Sequence, residues 1–254
     1  MKADLVIAQF SDSHLFADIN GLHCEVNVYQ NLVKVLTSIA NNNAIDFVVF
    51  TGDLTQDHSE NAYQNFGRAI QESKLTTPLY YTAGNHDDIA LLEYFLAKSP
   101  CQIQKEISLK SWHIKLINSK SSTPAGFISQ NTLQQLGVQH EHYPYQIIFM
   151  HHHPLDVGYF IDEHGLENKQ AFWQAIAHNT HIKAIACGHV HRGLSITKKL
   201  LSHQVEVFTC PASSIQFDPN AKGVKALTGI AGQAAYRCFY LSAQGEISSK
   251  IYKV

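Results

Sequence analysis

Five short polar clusters each follow an apolar run in this 254-residue chain. They read Asp12-Ser13-His14, Gly52-Asp53, Gly84-Asn85-His86-Asp87, His151-His152-His153-Pro154 and Gly188-His189-Val190-His191. Their side chains are carboxylates, imidazoles and one amide, with no thiolate. That donor set favours Fe, Mn, Co or Zn over Ca or a lone Mg. Two such ions about 3.5–4 Å apart clamp a phosphoryl group and lower the pKa of a bound water to about 7. The chemistry to expect is hydrolysis of a phosphate ester.

Seven side chains suffice for two ions if one carboxylate bridges: Asp12, His14, Asp53, Asn85, His151, His189 and His191. In extended chain, residues i and i+2 point the same way, so Asp12 and His14 can serve one ion. By the same spacing His189 and His191 reach a paired site, one ion each. Neighbouring histidines alternate sides, so His151, nearest the strand end, is the ligand of its triplet. His152 and His153 fall to structural roles. Asp53 has two oxygens and can bridge. His86 is free to face the substrate, and Asp87 to cap the next helix or orient His86. Two divalent ions, two carboxylates and one hydroxide leave a net charge of about +1, which suits a singly charged phosphodiester. The expected step is in-line attack of metal-activated hydroxide on phosphorus, with His86 stabilising phosphoryl oxygens or protonating the leaving alkoxide. Singly, each cluster has an ordinary counterpart in a turn Asp, a helix cap or a surface His pair. Five in one chain are harder to explain that way.

The elements that must position these residues alternate. Leu5–Phe10 and Phe47–Phe50 read as buried strands, followed by residues 79–82, 112–117, 146–150 and Ile182–Cys187. Between them, Tyr29, Leu32, Val33, Leu36 and Ile39 recur at helical spacing, and so do Tyr63, Phe66 and Ile70 behind a Ser59 cap. Further helices are predicted at 89–97, after Ser129, and at 170–177. Late strands are predicted at 205–209, 236–241 and 247–252. This order implies an α/β chain forming a four-layer α/β/β/α sandwich, two mixed β-sheets flanked by helices, as one domain over residues 1–254. In open α/β sheets, ligands bind beyond the carboxyl ends of the strands, so the five clusters share one rim.

Composition narrows the partners. A formal net charge of -2 gives no basic face for nucleic acid and no polybasic membrane arm. No run of about 18 apolar residues exists, and the N-terminus does not read as a signal peptide. Five scattered cysteines fit reduced thiols in the cytoplasm, with Cys187 and Cys210 in the core. A late β segment offers an edge for homodimer contacts.

The motifs D-x-H, GD, GNHD, HHHP and GHVH, in this order, resemble the calcineurin-like metallophosphoesterases. A closer likeness, to class III 3′,5′-cyclic-AMP phosphodiesterases, is carried by SDSHLF (11–16), TGDLTQD (51–57), MHHHPL (150–155) and PASSIQF (211–217). The resemblance spans residues 5 to 250. It implies a first ion on Asp12, His14, Asp53 and His191, and a second on Asp53, Asn85, His151 and His189. It implies Fe or Mn as cofactor and cyclic AMP as substrate, hydrolysed to 5′-AMP. The phosphate would meet Asn85 and His86, with His14, Asp53, His151 and His191 nearby. Asn85, His86 and Asp53 would carry the catalysis. Ala83 stands where the family often has Pro, which leaves the ligands intact. Alternatives are a related enzyme acting on glycerophosphodiesters, nucleotides or monoesters, an inactive scaffold, and a nuclease. Substrate choice should reside in loops such as 17–25 and 156–167.

Overall fold

A computed structural model describes residues 3–98, 100–220 and 233–254. The chain begins with β1 (Leu5–Phe10), a small hairpin of β2 (Leu22–His23) and β3 (Val26–Asn27), and α1 (Val28–Ala40). It continues through β4 (Phe47–Phe50), α2 (Glu60–Glu72), β5 (Leu79–Tyr81), α3 (Ile89–Phe95) and β6 (Cys101–Gln102). A second series follows: β7 (Glu106–Leu109), β8 (Trp112–Leu116), α4 (Gln130–Leu136), β9 (Tyr145–Met150), α5 (Lys169–Ile176) and β10 (Ile182–Cys187). Four strands end the chain: β11 (Ser195–Lys199), β12 (Gln204–Thr209), β13 (Ala235–Leu241) and β14 (Ile247–Lys253).

These strands form two six-stranded mixed sheets, β14-β13-β1-β4-β5-β6 and β11-β12-β10-β9-β8-β7. Strand alternation builds the layers. Leu5 and Ile7 of β1 and Phe47 and Val49 of β4 meet Ile147 and Phe149 of β9 and Ala184 and Ala186 of β10 between the sheets. The opposite face of β1, with Val6, Ala8 and Phe10, packs on Leu32, Leu36 and Phe66 of the helices α1 and α2. Ile148, Met150 and Ile185 turn outward to Phe172 and Ile176 of α5. The result is the expected α/β/β/α sandwich.

The expected elements are present, with ends shifted by one or two residues. Ser59 caps α2 by accepting the Ala62 N–H at 3.2 Å, and Ser129 caps α4 through Thr132. The buried stripe of α1 runs through Val35 rather than Val33. Cys187 and Cys210 are fully buried. The β2–β3 hairpin and strands β6, β7 and β11 were not expected. The last three each lie at a sheet edge; β7 and β11 are largely exposed and carry Glu106, Lys198 and Lys199, so they lack an alternating apolar signal.

Candidate metal centre and substrate cleft

The parallel strands β1, β4 and β5 of the first sheet and β9 and β10 of the second all end at one rim. All five polar clusters meet there. Asp12, His14, Asp53, His151, His189 and His191 are each at most 5% exposed.

How Asp12 and His14 converge differs from the expectation. They are not extended. Asp12 (φ 56), His14 (φ 45), Asp53 (φ 57), His189 (φ 64) and His191 (φ 53) all adopt left-handed backbone, which costs a non-glycine residue about 1–3 kcal/mol each. Neighbouring loops hold this strain. Asp12 N–H donates to Gly52 O at 2.9 Å and His14 N–H to Asp53 O at 3.1 Å. Ser214 Oγ donates to Asp12 O at 2.6 Å and Ser213 N–H to Ser11 O at 2.8 Å. The PASSIQF segment thus clamps the first loop from behind. Gly52 (φ 93) and Gly84 bring their loops into backbone contact: a Cβ on Gly52 would lie 2.3 Å from Gly84 N.

Within the cage, His14 Nε2 lies 3.0 Å from His191 Nε2, and His191 Nε2 lies 3.4 Å from Asp12 Oδ1. His151 Nε2 lies 3.0 Å from Asn85 Oδ1, 3.1 Å from His189 Nδ1 and 3.3 Å from Asp53 Oδ2. Asp53 Oδ2 also lies 3.7 Å from His14 Nε2, so this oxygen sits between the two groups. The ligand atoms of Asp12, His14 and His191 lie within 4.8 Å of one another, as do those of Asp12, Asp53 and His151.

Hydrogen bonds set the tautomers. A carbonyl only accepts, so His151 Nδ1–H donates to Thr51 O at 2.7 Å, and His191 Nδ1–H to Ile215 O at 2.8 Å. The Nε2 lone pairs of both then face carboxylate oxygens. Such contacts repel unless a proton or a cation lies between them. One proton on His151 can satisfy only one of the two oxygens facing it, Asn85 Oδ1 and Asp53 Oδ2, whereas a cation satisfies both. Atoms about 3 Å apart are also what neighbouring ligands at about 2.0–2.2 Å from one ion would show. His14 Nε2 and His189 Nδ1 are the ring nitrogens that face the cage. The residues fit a metal.

The charges point the same way. Burial, then the nearby His191, lowers the pKa of His14 well below its ordinary value. Burial, then His152, does the same for His189. Both are neutral donors. Burial alone would lower the pKa of His151, but the Asp53 carboxylate pushes it up to about 9. Burial would raise the carboxyl pKa of Asp53, yet His151 holds it well below the ordinary range.

His86 lines the cleft beside Asn85, edge-on to His14 with ring centroids 4.9 Å apart. Its ring stacks on His58 at 5.5 Å, and His58 Nδ1–H donates to His86 O. Asp87 does not cap α3 or touch the His86 ring, as had been expected; Asp88 is the cap, accepting from Leu91 N–H. Asp87 accepts the N–H groups of Asp53, Leu54 and Gly84 at 2.8–2.9 Å and so braces the Gly-Asp loop. Burial and the Asp53 charge push its carboxyl up to about 7. His152 spends both nitrogens on Ser119 Oγ and Pro124 O, and His153 Nε2 pairs with Asp162.

Sequence reasoning missed Lys120, whose Nζ donates to Asn85 O at 2.8 Å. His23, 5.4 Å from His14 between ring centroids, and Phe160 and Ile161 of the cleft wall fall in the loops 17–25 and 156–167 expected to carry substrate choice, and Phe217 ends PASSIQF, but none of them was named singly. No periodicity marks them. The cleft encloses about 440 Å³.

The chain is similar to known proteins along nearly its whole length. A family model described as calcineurin-like phosphoesterase matches residues 5–193. A "probable cyclic nucleotide phosphodiesterase" of Colwellia psychrerythraea (strain 34H) is 49% identical, over 97% of this chain and 94% of its own length. A 3′,5′-cyclic adenosine monophosphate phosphodiesterase CpdA of Vibrio vulnificus is 30% identical, over 98% and 89%. Among solved structures, a dimetal phosphatase from Danio rerio superposes with a TM-score of 0.69 at 14% identity, covering 99% of this chain and 97% of that one. That likeness is one of fold.

Proposed function

From the premise that this chain belongs to the calcineurin-like phosphoesterase family, we propose that it hydrolyses 3′,5′-cyclic AMP to 5′-AMP with two divalent metal ions. One observation carries the metal part. His151 Nε2 and His191 Nε2 face Asp53 and Asp12 at 3.3 and 3.4 Å, contacts that a pair of cations would bridge together. Asp12, His14, Asp53 and His191 would hold a first ion, and Asp53, Asn85, His151 and His189 a second. The oxygen and imidazole donors suit Fe or Mn, and tolerate Co or Zn. The substrate part is supported by the names of the relatives, which cover nearly the whole chain.

When bound, the metal pair supplies a water of lowered pKa as nucleophile and offsets charge on the phosphoryl group. The side chains do the rest. Asn85 turns Oδ1 to the cage, leaving its amide nitrogen to donate to a phosphoryl oxygen. Asp53 Oδ1 accepts the His86 backbone N–H at 2.9 Å and so fixes where that ring starts. A protonated His86 ring would donate to the phosphoryl group and pass that proton to the 3′-oxygen as the P–O3′ bond breaks, leaving a neutral imidazole; burial lowers its pKa, so the charged form is taken up against the substrate's negative charge. His14, His151 and His191 flank the phosphate.

A small nucleotide is the partner, and the reaction runs in the cytoplasm. Buried thiols at Cys187, Cys210 and Cys238 suit a reducing compartment. Among the described residues no helix is long and apolar enough to cross a membrane. A net charge of -2 argues against nucleic acid as substrate.

The test is kcat/KM with Mn for cyclic AMP, cyclic GMP, a glycerophosphodiester and a generic aryl phosphodiester. Cyclic AMP should lead by about tenfold or more, a difference of about 1.4 kcal/mol in transition-state binding. If the glycerophosphodiester or aryl ester leads instead, the cyclic-AMP assignment is wrong.

A further inference from the structure

The cleft joins the cage to an aromatic and apolar wall. His14, Asp53, Asn85 and His86 line its cage end, while Phe160, Ile161 and Phe217 line the other. A cyclic phosphate needs no aromatic wall, because the cage accounts for its charge. We propose that this wall seats the nucleobase, with Phe160 as its main contact. The inference rests on the cyclic-nucleotide function proposed above, and names the part of the substrate that the metal cage cannot read.

Three observations carry it. First, the wall is continuous with the cage: the Phe217 ring lies flat on His191, with centroids 4.0 Å apart and planes 10° off parallel. Phe160 meets Phe217 edge to face at 5.1 Å. One face of Phe217 is therefore used by His191. The half-buried Phe160 is the ring left to meet a ligand.

Second, the wall is held in place by the loops that carry the ligands. Phe160 and Ile161 begin a 3-10 turn spanning Phe160–His164. Within it, Asp162 accepts the N–H groups of Val157 and Gly158, each at 2.8 Å, and pairs with His153 Nε2 at 3.2 Å. The Tyr159 hydroxyl donates to Val190 O, inside the Gly188–His191 loop. The wall thus keeps a set distance from the cage, as a preorganised site requires.

Third, the chemistry suits a base. Pockets that hold small ligands combine aromatic lining with a few polar groups, and Glu163 and His164 are those groups here. Base–aromatic stacking tolerates any base and changes affinity by about fivefold to a hundredfold.

The experiment compares Mn-loaded wild type, Phe160→Ala and Phe160→Leu on cyclic AMP and on ribose 3′,5′-cyclic phosphate, which lacks the base. Bound Mn and melting temperature are measured alongside. Wild type should favour cyclic AMP by about tenfold or more in kcat/KM. Phe160→Ala should cut that ratio about tenfold, chiefly through KM for cyclic AMP, with bound Mn retained. Phe160→Leu, which keeps apolar bulk and loses the ring, should fall between, and it carries the test if the alanine variant does not fold. Equal losses on both substrates, or no loss, would overturn the wall's role while leaving the phosphodiesterase standing. A wild type that turns over neither substrate would instead overturn the function on which the inference rests.

Discussion

A neutral imidazole carries one proton, and the partner of one nitrogen decides what the other can do. Thr51 O and Ile215 O take the Nδ1 protons of His151 and His191, and this makes both rings donors to a cation. Asp53 is the one carboxylate set between the two groups. Asp53→Asn keeps its volume and removes its charge, and should lower kcat by about a thousandfold or more, with bound Mn falling below two per chain by elemental analysis. His86→Ala should lose kcat while retaining metal; metal loss in that variant would mean that His86 is a ligand. Asp162 gives a pH test. Burial would raise its carboxyl pKa, but His153 and the Val157 and Gly158 N–H groups hold it below the ordinary range. A carboxyl pKa that is lower in the folded state contributes stability above its unfolded value, lost as pH falls through the folded value. Wild type should therefore lose melting temperature between about pH 5 and 3 more steeply than Asp162→Asn. The seven candidate ligands were legible because each is a polar side chain placed just after an apolar strand. Thr51 O and Ile215 O were not, because a backbone carbonyl has no residue code. Lys120 was not, because it reaches Asn85 from 35 residues away.

At the scale of elements, strand ends supply position and the loops supply direction. The loops do so through left-handed turns, which the D-x-H and H-x-H spacings did not announce. Asp12, His14 and His191 do come together, but not through the extended geometry expected of them. Gly52 shows how tight the arrangement is. Gly52→Ala would meet both the left-handed φ of 93 and the contact with Gly84 N. It should lower unfolding free energy by about 3 kcal/mol or more in urea melts, with activity falling alongside. The buried strands were legible as continuous apolar runs. The edge strands β7 and β11 were not, since one exposed face and a lysine or glutamate leave little pattern.

Across the whole molecule, the cage joins what the fold keeps apart. Asp12, His14, Asp53 and Asn85 come from the first sheet; His151, His189 and His191 come from the second. Metal bound there would tie the two sheets at one rim, as the Leu5–Phe149 layer ties them inside. Because only the folded chain has this site, metal at 100 times its dissociation constant should add about 2.7 kcal/mol. Chelation should lower the melting temperature reversibly. The most direct test is a crystal of the Mn-loaded protein measured for anomalous scattering. Two peaks are predicted, one among Asp12, His14 and His191 and one among Asn85, His151 and His189, with Asp53 between them. A single peak, or metal held elsewhere with these side chains facing one another unbridged, would contradict the account.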